Sequence, residues 1–189
     1  MKIDRFRNEL GSLFHDHPED LPESTLLNRA RDEIFGLAGC YLDDGDHFLS
    51  VGDRVNALAS FAYASGLIDT GLFLGLFDRR SPCSILLEEE DLGPDLFEHL
   101  HEKAIRYGRL LESAHSACQP SAEPGISWYD GGVCVRAVAG TYLAGGTWFL
   151  GADRYNNALS CFSYGHGWLD AALRVGLLRI TSDRELFAI

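Results

Sequence analysis

Basic charge is what this chain has least of. It carries 16 Lys and Arg against 28 Asp and Glu, a formal net charge of −12. No basic block occurs anywhere along it. The electrostatic footprint of a protein that grips phosphates is therefore missing, and nucleic acid is not an expected partner. The shortage is uneven: residues 1–94 hold 8 Lys and Arg against 18 Asp and Glu, and residues 95–189 hold 8 against 10. Paired cysteine is also missing. Cys40, Cys83, Cys118, Cys134 and Cys161 are odd in number and form no C-x-x-C. Buried or partly exposed thiols in a reducing cytosol are expected rather than a zinc or redox site. The opening MKIDRFRNEL has no apolar signal core. The most apolar run, Phe61 to Phe77, is broken by Asp69 and is shorter than the ~20 residues a bilayer span needs. A buried helix is expected there, and no membrane. There is no Gly-rich phosphate loop, no G-x-S-x-G and no paired Cys/His pattern, so no cofactor or metal is called for. No stretch alternates convincingly as a strand.

What the chain does have is a repeat. Asn56 to Phe77 returns without a gap as Asn157 to Leu178, at an offset of 101 residues. Over positions 38–77 there are 17 identities. They include Tyr41/Tyr142, Gly45/Gly146, Asn56/Asn157, Phe61/Phe162, Tyr63/Tyr164, Gly66/Gly167, Asp69/Asp170 and Gly75/Gly176. That is a duplication, and its period is a domain rather than a solenoid unit. It predicts a first unit over 1–80, a linker over 81–94 and a second unit over 95–189.

Each unit reads as three helices. In the first, Ile3, Phe6, Leu10 and Leu13 make one amphipathic stripe. A second helix is expected from about Pro22 to Val51. Gly52 then stops it, and Asp53 caps a third helix running to Phe77. The second unit repeats the plan. Phe97 to Ala114 form its first helix, Asp130 to Leu150 its second, and Gly151 and Asp153 repeat the stop and start. Its last helix ends near Leu178, followed by a short tail. Ser84 to Leu87, in the linker, are apolar enough to dock on a domain. The fold expected is all-α: two tandem up-and-down three-helix bundles packed on each other.

The third helix is apolar most of the way round, and such a helix is buried most of the way round. Leu58, Phe61, Ile68 and Leu72 face the core of its own bundle. The opposite flank, Ala59, Ala62, Gly66, Phe73 and Phe77, is expected to be covered by the other half or by a second chain. Gly66/Gly167 and Gly75/Gly176 weaken a helix by ~1 kcal/mol each relative to Ala, which close approach of two backbones would offset. Asp69/Asp170 is the one acidic position shared inside this apolar helix. With Tyr63/Tyr164 and Asn56/Asn157 it makes the candidate binding set, although Asp69 points away from the face that Asn56 and Tyr63 share. A buried carboxylate needs a partner in any case.

Other clusters are weaker. Asp43, Asp44, Asp46 and His47 form an acidic group with no counterpart in the second half, and a solvated face explains it. His15 and His17, at a helix end, could share a ligand; His99 and His101, two apart on a helix, point in opposite directions. Arg109 and His115, with five residues between them, are similar in spacing to the nuclease motif of HEPN-type helical domains.

The run from Gly52 to Leu76, G-D-x-x-N-A-L-A-S-F-x-Y-x-x-G-x-x-D-x-G-x-x-L-G-L, preceded by Tyr41 and Phe48-Leu49, resembles the archaeal family named domain of unknown function 357. The second copy keeps Asn157, Ala158, Phe162, Tyr164, Gly167, Asp170 and Gly176. It departs at Arg154-Tyr155 and at Ala172. The resemblance implies a cytoplasmic archaeal protein of two tandem three-helix units, with no catalytic residue to carry over. The function expected first is a non-enzymatic interaction or scaffold module, self-associating or binding another protein. The alternative is a small-molecule-binding or hydrolytic bundle that uses the shared Tyr, Asn and Asp positions. A nucleic-acid-processing role comes last.

Overall fold

An apolar stripe followed by two long helices, each stopped by a residue suited to a left-handed turn, is the local plan of both halves. In the computed structural model, which describes residues 2–14, 25–77, 85–87 and 94–187, that plan gives two up-and-down three-helix units. The first is α1 (Ile3–Ser12), α2 (Leu26–Ser50) and α3 (Arg54–Phe73). The second is α4 (Pro94–Ser116), α5 (Ser127–Gly151) and α6 (Tyr155–Arg174). The helices α3 and α6 are the central pair. α1 and α2 flank α3, and α4 and α5 flank α6. One apolar core runs through both units, with Phe61 and Phe162 fully enclosed. Each ring occupies the space that a side chain at Gly45 or Gly146 would fill. The repeated glycine of α2 and α5 thus makes room for the repeated phenylalanine.

The short α1 buries Ile3, Phe6 and Leu10 as its stripe requires. Its Arg7 grips Asp46 of α2 with two prongs, 2.7 Å from Nε and 2.5 Å from Nη2. Asp46 therefore serves as an ion-pair partner, while Asp43, Asp44 and His47 are exposed. Among the described residues no three His, Cys, Asp or Glu side chains gather as a metal site would need. His15 and His17 lie outside the described residues. The Thr25 hydroxyl accepts from Asn28 N at 3.1 Å and caps α2. That sets the start at Leu26 rather than near Pro22.

Gly52 takes a φ of 81°, and the Asp53 carboxylate accepts from Asn56 N at 3.0 Å, the expected stop and start. The second copy keeps this shape with other chemistry. The left-handed residue is Asp153, with a φ of 57°, and Arg154 at the cap position makes no side-chain cap bond.

Two expectations need correction. The third helices stop at Phe73 and Arg174, not at Phe77 and Leu178. Gly75 and Gly176 have φ of 71° and 72°, and the following N–H groups reach back to Gly71 O and Ala172 O at 2.9 Å in both copies. These glycines recur because they end a helix in the left-handed conformation, not because backbones approach there. The tail also begins with a strand, where none was expected. Leu178–Ile180 (β2) pairs antiparallel with Cys118–Pro120 (β1), with Gln119 opposite Arg179. Three-residue strands are too short to show alternation in a sequence. This small ribbon returns the chain along α4 to a turn at Arg184–Leu186 and to buried Phe187. In the connection between the units, Ile85 and Leu87 are buried, as a docked segment would be.

Candidate functional site

Tyr63, Gly66 and Asp69 follow one another at three-residue spacing on α3. Each step turns the helix by about −60°, so Tyr63 and Asp69 project to either side of the glycine. Tyr164, Gly167 and Asp170 do the same on α6. The two glycines meet. A Cβ added to either would come within 3.2 Å of the other's Cα and well inside contact distance of Tyr164 O or Tyr63 O. The helices run antiparallel through this point, so the tyrosine of each meets the aspartate of the other. The Tyr63 hydroxyl donates to Asp170 Oδ2. The Tyr164 hydroxyl donates to Asp69 Oδ2 at 2.7 Å. The opposed directions of Tyr63 and Asp69 on one helix, awkward for a shared site, are what a crosswise pairing needs.

A pocket opens beside each pair. The first encloses about 310 Å³. Its floor is Tyr63 and Asp170, and the Tyr41 ring of α2 lies 4.2 Å from that of Tyr63. Ser60, His166 and Tyr107 of α4 continue the wall, and the tail from Glu185 to Phe187 closes one side. His166 Nε2 is 2.8 Å from Leu186 O, which ties the tail to α6. The second pocket encloses about 400 Å³. Its floor is Tyr164 and Asp69, with the Tyr142 ring 4.3 Å from that of Tyr164. Thr141, Gly145, Phe149 and Cys161 continue the wall, and Ile85 and Leu86 from the connection form its rim. Four wall positions correspond at the repeat offset: Tyr41/Tyr142, Ser60/Cys161, Tyr63/Tyr164 and Asp170/Asp69. The same site is built twice, each time from both halves. The copies differ in depth, since Asp170 is 1% exposed whereas Asp69 is half-buried.

Burial, reinforced by the charge of Asp170, holds the Tyr63 phenol well above its ordinary range. Burial and Asp69 do the same to Tyr164. Tyr41 and Tyr142 are raised mainly by burial, partly offset by hydrogen bonds to Tyr63 and Tyr164. These phenols stay protonated. They can donate hydrogen bonds and offer ring faces, but they are not ready bases or nucleophiles. Burial pushes the Cys161 thiol to about 12, which likewise removes it from nucleophilic chemistry.

Of the candidate binding set, Tyr63, Asp69, Tyr164 and Asp170 come together, crosswise between the halves. Asn56 and Asn157 do not join them. Seven residues place Asn56 about 10 Å along the helix from Tyr63, and its amide donates to its own cap residue, Asp53. Asn157 is buried, and its Oδ1 accepts from Leu87 N at 2.7 Å, which seats the connecting segment. On the flank expected to be covered, Ala59, Ala62 and Gly66 are buried. Phe73 lies 5.9 Å from the Trp168 ring of the other half but stays 45% exposed, so the cover expected of it is incomplete. Phe77 is not part of that surface. Beyond the turn at Gly75 it folds into its own unit, 5.8 Å from the Phe35 ring and over Gly71. Arg109 and His115 are separated as well: His115 Nε2 is 3.0 Å from Arg136 O on α5, while Arg109 is exposed on α4.

Tyr41 and Tyr142 are the missed wall residues for which the sequence did carry a signal. They recur at the same offset as the tyrosines they stack on. Tyr107, His166 and Glu185 recur nowhere, and only the fold brings them to the pocket.

Comparison with curated proteins and with solved structures finds no match. The family described as Protein of unknown function (DUF357) matches twice, over residues 17–77 and 106–178, together more than half of the chain. The first segment contains α2 and α3, the second α5, α6 and the C-terminal part of α4, and each carries one Tyr–Gly–Asp set. The chain belongs to the DUF357 family and holds two tandem copies of its unit.

Proposed function

We propose that this protein is a small-molecule-binding helical bundle with two composite pockets at the junction of its halves. One observation carries the reading: the same four positions line a pocket in both copies, and each pocket draws residues from both. Cavities of about 310 and 400 Å³ fall in the range of small-ligand sites. Phenols held protonated favour binding over acid–base or covalent chemistry. The test is a thermal-shift panel of small organic cations, anions, sugars and nucleotides. It compares wild type with Ser60→Leu/Cys161→Leu, which narrows both pockets. At least one class should raise the wild-type melting temperature, with the shift lost in the variant. Equal shifts in both proteins, or none in the wild type, would refute the proposal.

The interaction-module reading has its own support on α5. Exposed Val133, Cys134, Ala144 and Trp148 stand where α2 has exposed Asp32, Glu33, Asp43 and His47. Trp148 is 64% exposed. By length and composition alone α5 could also cross a bilayer. If this face joins two copies, light scattering will give a dimer that Trp148→Glu splits. A wild-type monomer would leave self-association without support.

A further inference from the structure

We propose that the pockets take an organic cation, an alkyl-substituted ammonium group, and that the first pocket holds it more tightly. This rests on the pockets being ligand sites and names their ligand class. The first is walled by the rings of Tyr41, Tyr63 and Phe187, with Asp170 on its floor and Glu185 at its edge; the Tyr107 ring also lines it but already lies under Lys103 and Arg106, 5.2 and 5.7 Å from its centroid. The second keeps the corresponding Tyr142, Tyr164 and Asp69 and adds the ring of Phe149. No Lys or Arg lines either one among the described residues. That exclusion is local. A neighbouring groove along α4 shares Leu110 with the first pocket and does hold arginines, Arg106 and Arg109, with Glu102 paired to Arg106 at 3.2 Å.

Ring faces attract a cation through their quadrupole, and a carboxylate beneath them supplies net charge. Among the described lining residues, an anion would meet carboxylates and no Lys or Arg. The net charge of −12 adds long-range steering of the same sign. The first pocket has a second carboxylate and the more enclosed aspartate, so it is the tighter of the two.

The experiment is calorimetric titration of the full chain with choline, its uncharged isostere 3,3-dimethylbutan-1-ol, and the anion 3,3-dimethylbutanoate. Choline is expected to bind at least about tenfold more tightly than the alcohol, a gap of the size that desolvated cation–ring contacts give. Glu185→Gln, at the exposed edge, should weaken choline about threefold, as an exposed charge pair does, and leave the alcohol unchanged. Tyr41→Leu should weaken choline about tenfold while keeping the wall apolar. Equal or tighter binding of the alcohol or the anion would overturn the cation assignment while leaving the pockets as ligand sites. No binding of any of the three would also overturn it. The pockets themselves then stand or fall on the broader thermal-shift panel and the narrowed variant.

Discussion

Gly66→Ala should destabilise the protein by about 3 kcal/mol, lowering its melting temperature by about 6–12 °C for a chain of this size. The added methyl would lie on the Tyr164 carbonyl oxygen and 3.2 Å from Gly167 Cα. Both obstacles are backbone, and neither can rotate away. α3 and α6 would have to separate, and their contact is the most extensive between any two elements. Separation would also pull each tyrosine from its aspartate on the far helix, so Gly167→Ala should behave alike. Gly36→Ala is the contrast. Gly36 lies inside α2, exposed, with nothing within 4 Å of an added Cβ. There only helix propensity acts, and stability should rise by about 1 kcal/mol. One substitution in two helices of one molecule is thus expected to change sign. Urea denaturation of both variants decides it: a stabilised Gly66→Ala would mean that the central glycines are tolerated rather than required.

The same residues show how far a sequence can be read. Recurrence at a fixed offset picked out Gly66/Gly167 and Gly75/Gly176 together, because it reports that a glycine is needed and not why. Separating them takes the backbone: one pair sits inside a helix against another helix, the other has positive φ at a helix end. The same limit applies to Asp69 and Asp170. That they recur in an apolar helix was plain, and so was their need for partners. Their partners lie 95 and 107 residues away in the chain, on a helix whose direction relative to their own no local pattern encodes. The tail was illegible for another reason. Its strands are three residues long, and its role in closing the first pocket depends on a turn at Gly176 and a ribbon with residues far upstream.

The crosswise pairs couple the halves, and their unequal burial makes the final prediction. Tyr63→Phe deprives Asp170 of a donor in a setting 1% exposed to solvent. Hydrogen bonds to charged groups contribute about 1.5–3 kcal/mol when water cannot replace them, so a loss of about 2–3 kcal/mol is expected. Tyr164→Phe removes the equivalent bond from Asp69, which water reaches, and should cost about 1 kcal/mol. Alkaline pH probes the same phenols. Both are held above their ordinary range when folded. The folded state therefore keeps these protons after the unfolded chain has released them. The stabilisation they confer is complete below the unfolded value near pH 10 and declines above it, by up to about 1.4 kcal/mol per pH unit for each tyrosine. Urea denaturation between about pH 8 and 11.5 should show that decline in wild type and a shallower one in both variants. If the two phenylalanine variants lose equal stability, the depth of Asp170 is not what distinguishes the two copies. If wild-type stability stays level above pH 10, the phenols are not buried as the crosswise pairing demands, and the pockets lose their floor.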